Sequence, residues 1–358
     1  MEKCKLCLSN LADKKGSHVI SQFLIQSMVN DEGQQGRDKE VGFAIGEYIE
    51  TYFGRSVSPD TITQILGRDI NKQELVQNSN LYTRDFFLCT QCENKLSYLE
   101  DYYSKNGLSF EQKDKLIINK ADSLISTLFW ISNLWRINVT NFCGLKLKVK
   151  EENKLRNILI QSLGNSIKEI SSNILSTTKE NILNLAYVIL VDTINAAPTN
   201  NFFFASPHND KPYSLMINNY VLFFYMKRTH FGCIIQTFLD FEKKLSRAFL
   251  NPFISKSEVL VPLTDDLKRE GAQRLIELKQ KHLIERHQHF IYSVLSNVSQ
   301  FLPQLNLSLK NQIYQETMND FLLSPIEGEI RLSQKRLFES LTTICQKYGL
   351  VEMNSQLA

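Results

Sequence analysis

Two cysteine pairs and one histidine near the N-terminus constrain this chain more than any other feature. The first pair is Cys4-Lys5-Leu6-Cys7 and the second is Cys89-Thr90-Gln91-Cys92, with Ser17-His18-Val19-Ile20 between them. Two C-x-x-C knuckles supply four thiolates, the complete tetrahedral shell of a structural Zn²⁺ site. Four of the seven cysteines fall in these pairs, a regularity that unrelated buried thiols would not produce. A closed Cys4 shell has no open position for water or substrate, so such a zinc would build structure rather than do chemistry.

The chain has 358 residues, 43% hydrophobic and 22% charged. It is long enough for two or three domains. A net charge of +3 permits nucleic-acid binding without demanding it, and no basic tail is evident. The N-terminus lacks the apolar core of a signal peptide, and no stretch approaches a membrane span. Cys143, Cys233 and Cys345 are isolated and odd in number. Together with the knuckles they predict a reducing, cytoplasmic setting.

The pattern predicts a mainly α protein with a small β component (α+β). A zinc module over 1–105 carries an insertion at 31–80. A larger, mostly helical domain follows over 106–358. Leu81 to Leu88 reads as a strand or turn, and Glu93 to Tyr103 as a helix with Leu96, Leu99 and Tyr103 on one face. Glu93 and Glu100 are seven apart and share another face. The apolar run at 111–140, closed by Arg136, reads as one long helix, followed by helices at 150–175 and 178–195. Aromatic and β-branched segments near 200–240 (202–204, 214–217, 220–227 and 231–238) predict an antiparallel meander. Helical pattern returns at 264–300 and 331–348.

The arrangement Cys4-x-x-Cys7, Ser17-His18-Val19-Ile20 and Leu88-Cys89-x-x-Cys92-Glu93 resembles the zinc-containing branch of the HNH endonucleases. In these a ββα-metal hairpin and helix is built on a treble-clef zinc site. The resemblance covers residues 1–105. It implies that His18 is the general base that activates water, a task suited to a neutral imidazole. It also implies a single Mg²⁺ or Mn²⁺. The family's strand carboxylate is Ser17 here, a poor ligand for a hard cation. Its polar residue after the last knuckle is Glu93, a good one. Asp13, Glu100 and Asp101 are supplementary candidates, and Asn78 or Asn80 matches the family's middle asparagine. Arg84 and Lys95 are the nearby cations for phosphate. The segment ending Leu134-Trp135-Arg136 is similar to a region that follows such modules in bacterial proteins often found in anti-phage defence. The function implied is a nuclease effector cutting DNA or RNA, with residues 106–358 binding a regulatory partner or an oligomer mate. The alternative is a catalytically inactive zinc module that binds nucleic acid or protein within a larger complex.

Every one of these residues also has a structural explanation. His18 can be packed, or can ligate the zinc. Ser17 can cap a helix. Glu93 lies in a first helical turn, where the helix dipole favours a carboxylate. Glu100 reads as solvated surface. His282, His287 and His289 read as a polar helix face rather than a metal site. His208 and Asp210 read as turn residues. Trp130 and Trp135 read as core.

Overall fold

The computed structural model describes residues 2–26, 41–45, 49–53, 57–66, 69, 82–113, 116–192, 203–205, 211–217, 219–232, 250–252, 257–299, 305–323 and 334–350. In chain order the elements begin with β1 (Ser17–His18), α1 (Gln22–Gln26), β2 (Val41–Ile45), β3 (Ile49–Phe53), α2 (Pro59–Leu66) and β4 (Thr83–Arg84). Then come α3 (Thr90–Asn106), β5 (Phe110–Lys113), β6 (Leu116–Asp122), α4 (Ser123–Val139), α5 (Val149–Ser162), α6 (Ile167–Asn173) and α7 (Lys179–Leu183). The strands β7 (Ala186–Val191), β8 (Phe203–Ala205), β9 (Tyr213–Ile217), β10 (Tyr220–Tyr225) and β11 (Ser257–Pro262) lead to α8 (Asp265–Ser299), α9 (Leu307–Leu323) and α10 (Gln334–Lys347). The fold is mainly helical with a smaller β component, as the sequence pattern predicts.

β1 pairs antiparallel with β4, with Ser17 opposite Arg84 and His18 opposite Thr83. β2 and β3 form a second two-stranded sheet. The large sheet has the order β5-β6-β11-β7-β10-β9-β8. Its neighbours are antiparallel except β11 and β7, which run parallel.

Two stretches expected to be helical are partly strand. The expected helix at 111–140 begins as the β5–β6 hairpin, and the helix proper starts at Ser123. Asp122 sets that start. Its carboxylate accepts from the backbone N–H groups of Leu124 and Ile125 at 2.9 and 3.1 Å, a side-chain cap on two otherwise orphaned donors. The expected helix at 178–195 ends at Leu183 and gives way to β7, whose six residues are all buried. A strand covered on both faces carries a continuous apolar run, which periodicity cannot tell from a buried helix. The expected meander is present as β8–β9–β10. Its expected last strand at 231–238 begins instead in a 3₁₀ turn, Arg228–Gly232, and Cys233 onward to Phe238 lies outside the described residues.

The chain divides into two compact units, one of residues 1–44, 51–57 and 79–275, the other of 45–50, 58–78 and 276–358. In the first, one hydrophobic core runs without a break from Cys4 and Leu6 through Leu96, Tyr103 and α4 to Tyr187, Phe224 and Leu260. Every residue of α4 from Ser123 to Ile137 is buried. A helix enclosed all round explains why this segment is apolar on every face. The second unit has its own core, which includes Ile291, Ile313, Phe321 and Leu337. There His287 is buried, with its ring edge-on to Phe321 at 4.9 Å. It is a packing residue rather than part of a solvated face, while His289 is exposed.

Candidate metal centre and adjoining polar site

The two knuckles meet through backbone geometry. Lys5 N–H donates to the Phe87 carbonyl at 2.9 Å, and Lys14 N–H to the Leu88 carbonyl at 3.1 Å. Leu8 and Phe86, each just outside a knuckle, adopt left-handed backbone at φ 58° and 57°, the tight reversal that folds each pair of cysteines inward. Cys89 is the N-cap of α3 and accepts from the Cys92 N–H at 3.4 Å. Asp13 anchors the same helix start by accepting from Thr90 N–H at 2.7 Å. That contact gives Asp13 a capping role, and Asp101 is exposed.

The result is a cluster of four sulfurs, from Cys4, Cys7, Cys89 and Cys92, all within 4.8 Å of one another. A tetrahedral Zn–S shell with bonds of about 2.3 Å places sulfurs about 3.8 Å apart, so small adjustments suffice. This group could hold a metal ion such as zinc. The thiols already share charge. A hydrogen bond from Cys92 draws Cys4 down to about 4, and the same contact pushes Cys92 up. Burial pushes Cys89 up. A bound cation would favour the thiolate form of all four.

Beside the cluster lies a polar site that joins β1, α3 and α4. Glu93 stands in the first turn of α3, directly after Cys92. Burial pushes its carboxyl above the usual range, Arg136 pulls it back, Glu100 pushes it further up, and Ser17 and Lys14 pull it down. Ser17 is near enough to act on the carboxyl but falls short of hydrogen-bond geometry. Both Ser17 Oγ and Glu93 Oε2 are buried without a hydrogen-bond partner. Ser17 is a wholly buried strand residue, so it caps no helix.

Arg136 is 1% exposed and organises the rest. Its guanidinium lies 2.6 Å from Glu100 Oε1 and donates to the His18 carbonyl at 3.0 Å and to Ser21 Oγ at 3.1 Å. The Ser21 hydroxyl donates to Glu100 at 2.9 Å, and the Ser21 N–H to Asn133 Oδ1 at 2.9 Å. Glu100 is therefore an ion-pair partner and not solvated surface. Sequence reasoning missed Arg136, Ser21 and Asn133 as site residues. The one available signal was a lone cation at the end of an apolar run.

The other expected residues are less converged. His18 is half-buried on β1, held through its carbonyl. Arg84 stands opposite Ser17 and donates to the neighbouring Thr83 carbonyl at 3.0 Å. Lys95 is two residues past Glu93, roughly 200° around α3, and so belongs to another face. Asn78 and Asn80 lie outside the described residues, as do His208 and Asp210. Among the described residues, the cysteine cluster is the only group of three or more His, Cys, Asp or Glu placed to hold a metal.

Fold and site together define a mainly helical α+β protein built on a Cys4 group able to hold a metal ion. No family model, no curated protein and no solved structure matches the chain. Among the described residues, no helix is long and apolar enough to cross a membrane.

Proposed function

We propose that this chain is a metal-dependent, HNH-like nuclease effector that hydrolyses phosphodiesters in DNA or RNA. In this reading Cys4, Cys7, Cys89 and Cys92 hold a structural Zn²⁺, His18 is the general base, and Glu93 is a ligand for Mg²⁺ or Mn²⁺. The observation that carries it is the Glu93 carboxylate. Its Oε2 is buried and unpartnered, in the turn that starts on the second knuckle. An orphaned buried carboxyl oxygen is costly unless it is protonated or something binds it, and a cation would favour the ionised form. A hard cation there needs only one or two protein carboxylates, because Mg²⁺ keeps several waters and takes phosphate oxygens. Such a cation would stabilise charge on the phosphate. His18 would take the proton of the attacking water, and Arg136 would hold the β1 backbone that carries it. A nuclease of this kind needs restraint, which residues 106–358 would provide through a protein partner or a second copy. The resemblance suggests bacterial anti-phage defence as the setting, and the cysteine usage suggests the cytoplasm as the place.

Two observations favour the second reading, a catalytically inactive zinc module within a larger complex. Arg136 already neutralises Glu100, and Ser17 stands where the family has its strand carboxylate. The test is cleavage of supercoiled plasmid and of labelled RNA with Mg²⁺ or Mn²⁺, comparing the wild type with His18→Ala and Glu93→Gln at equal zinc content. Cleavage lost in both variants supports the nuclease. Cleavage that survives His18→Ala contradicts the proposed mechanism. No cleavage by any of them, with and without the native partner, leaves the inactive module.

A further inference from the structure

Helix α5 carries Lys150, Asn153, Lys154, Asn157 and Gln161 at offsets of 0, 3, 4, 7 and 11, which places all five on one helical face. With Asn181 of α7 they line an open groove of about 470 Å³. We infer that this groove is a binding site for the phosphodiester backbone of a nucleic-acid strand.

The groove carries more positive than negative charge, with Glu151 offsetting part of it. Lys154 is half-buried, and its ammonium donates only to the Met226 carbonyl, at 3.1 Å. Among the described residues, no carboxylate makes an ion pair with Lys154, Lys150 or Lys227. Burial lowers the Lys154 pKa, the neighbouring charge of Lys227 lowers it further, and the Glu151 carboxylate opposes both. The acids on the same helix accept from neutral donors and make no ion pair with these lysines. Glu151 accepts from the Tyr213 hydroxyl at 2.5 Å, and Glu152 from the Asn138 amide at 3.0 Å. Like charges only partly offset, one of them partly desolvated, are what an anionic ligand relieves.

The lining also selects among anions. Lysine ammonium groups and Asn or Gln amides are the side chains that commonly contact phosphate and sugar. The groove has no aromatic residue, and its one apolar member, Ile158, is 2% exposed at the floor. An acidic peptide would lack an anchoring pocket. A repeating anionic backbone needs none. Arg156 points the other way, toward the first knuckle, where it donates to the Leu6 carbonyl at 3.4 Å. One helix thus presents the groove on one face and braces the metal centre on another. The inference rests on the proposed function for the relevance of nucleic acid, but not on catalysis.

The test is fluorescence anisotropy of the full chain with a labelled single-stranded DNA oligonucleotide across a salt series. The two lysines of the groove predict a log–log salt slope of about −1.4. The variant Lys150→Gln/Lys154→Gln should bind roughly tenfold more weakly, with a slope shallower by about 1.4. Lys150→Gln alone, at an exposed residue that cannot disturb the fold, should make the slope shallower by about 0.7. Unchanged binding and slope in both variants would overturn the inference. So would equally tight binding of labelled poly-glutamate, which would make the site one for acidic peptides. Binding through the groove by a chain that cuts nothing, with and without its native partner, sinks the nuclease reading and leaves this one standing.

Discussion

The Arg136 guanidinium and the Glu100 carboxylate, 2.6 Å apart, tie α4 to α3, the helix that starts on the second cysteine pair, at a point where Arg136 has almost no contact with water. The same guanidinium holds the β1 backbone at His18. Removing the cation leaves a partly buried carboxylate and two oxygen acceptors without their donor. Arg136→Met should lower the unfolding free energy by about 3 kcal/mol, measured by chemical denaturation. Glu100→Gln, which keeps the hydrogen-bonding shape, should cost less than half of that.

A second buried carboxylate locks the far end of α3. Glu258 on β11 accepts from the Tyr103 hydroxyl at 2.6 Å, Tyr187 at 2.7 Å and Trp130 Nε1 at 3.0 Å, and from the Asn119 amide. Burial pushes its carboxyl above the ordinary 4.5, and the four donors oppose that shift without cancelling it. An acid with a raised pKa binds more protons in the folded state than in the unfolded one. Its contribution to stability is therefore greatest below pH 4.5 and declines as pH rises toward the folded value. Glu258→Gln, which cannot titrate, should lack that decline. Unfolding free energies of both proteins between pH 4 and pH 7, set by the ordinary value of about 4.5, measure it. Parallel pH profiles would show that Glu258 is not shifted.

Gly107 ends α3, where an added Cβ would fall 2.6 Å from the Tyr103 ring. That ring is stacked on Phe129 at 4.1 Å and pinned through its hydroxyl to Glu258, so it cannot move aside. Gly107→Ala should destabilise by about 1–3 kcal/mol. The cause is steric, because the Gly107 backbone, at φ −76°, is one any residue adopts. A melting temperature equal to that of the wild type would contradict the packing described.

The sequence made some of this legible and hid the rest for physical reasons. Cys4, Cys7, Cys89 and Cys92 were readable because metal chemistry fixes both ligand type and spacing. The α3 helix was readable because Leu96, Leu99 and Tyr103 repeat at helical period beside a solvated face. The β6 and β7 strands were not. Ala186 to Val191 is apolar at every position because both sides are covered, so no alternation marks it as a strand. Arg136 and Glu258 were invisible as partners. Each is one polar residue in an apolar segment, and its counterpart lies far away in sequence, as with Tyr103 and Glu258. Glu100 looked solvated because its face of α3 is polar, and only the packing of α4 turns that face inward.

Metal should matter for stability as well as for shape. Chelation should melt the β1–β4 strand pair and the first turn of α3, since four clustered thiols would lose their cation. Zinc at a thousandfold excess over its dissociation constant would contribute about 4 kcal/mol. The expected outcome is a lower melting temperature with chelator, restored by added zinc, and no such response in Cys4→Ser/Cys89→Ser.

X-ray absorption at the zinc edge of the purified protein tests the central claim most directly, because it reads which atoms surround the metal. A shell of four sulfurs at about 2.3 Å is the predicted result, and it leaves the His18 imidazole free of the zinc to act as a base. A shell of three sulfurs and one nitrogen at about 2.0 Å, lost in His18→Ala, would make His18 a ligand and contradict both the Cys4 centre and the catalytic role built beside it.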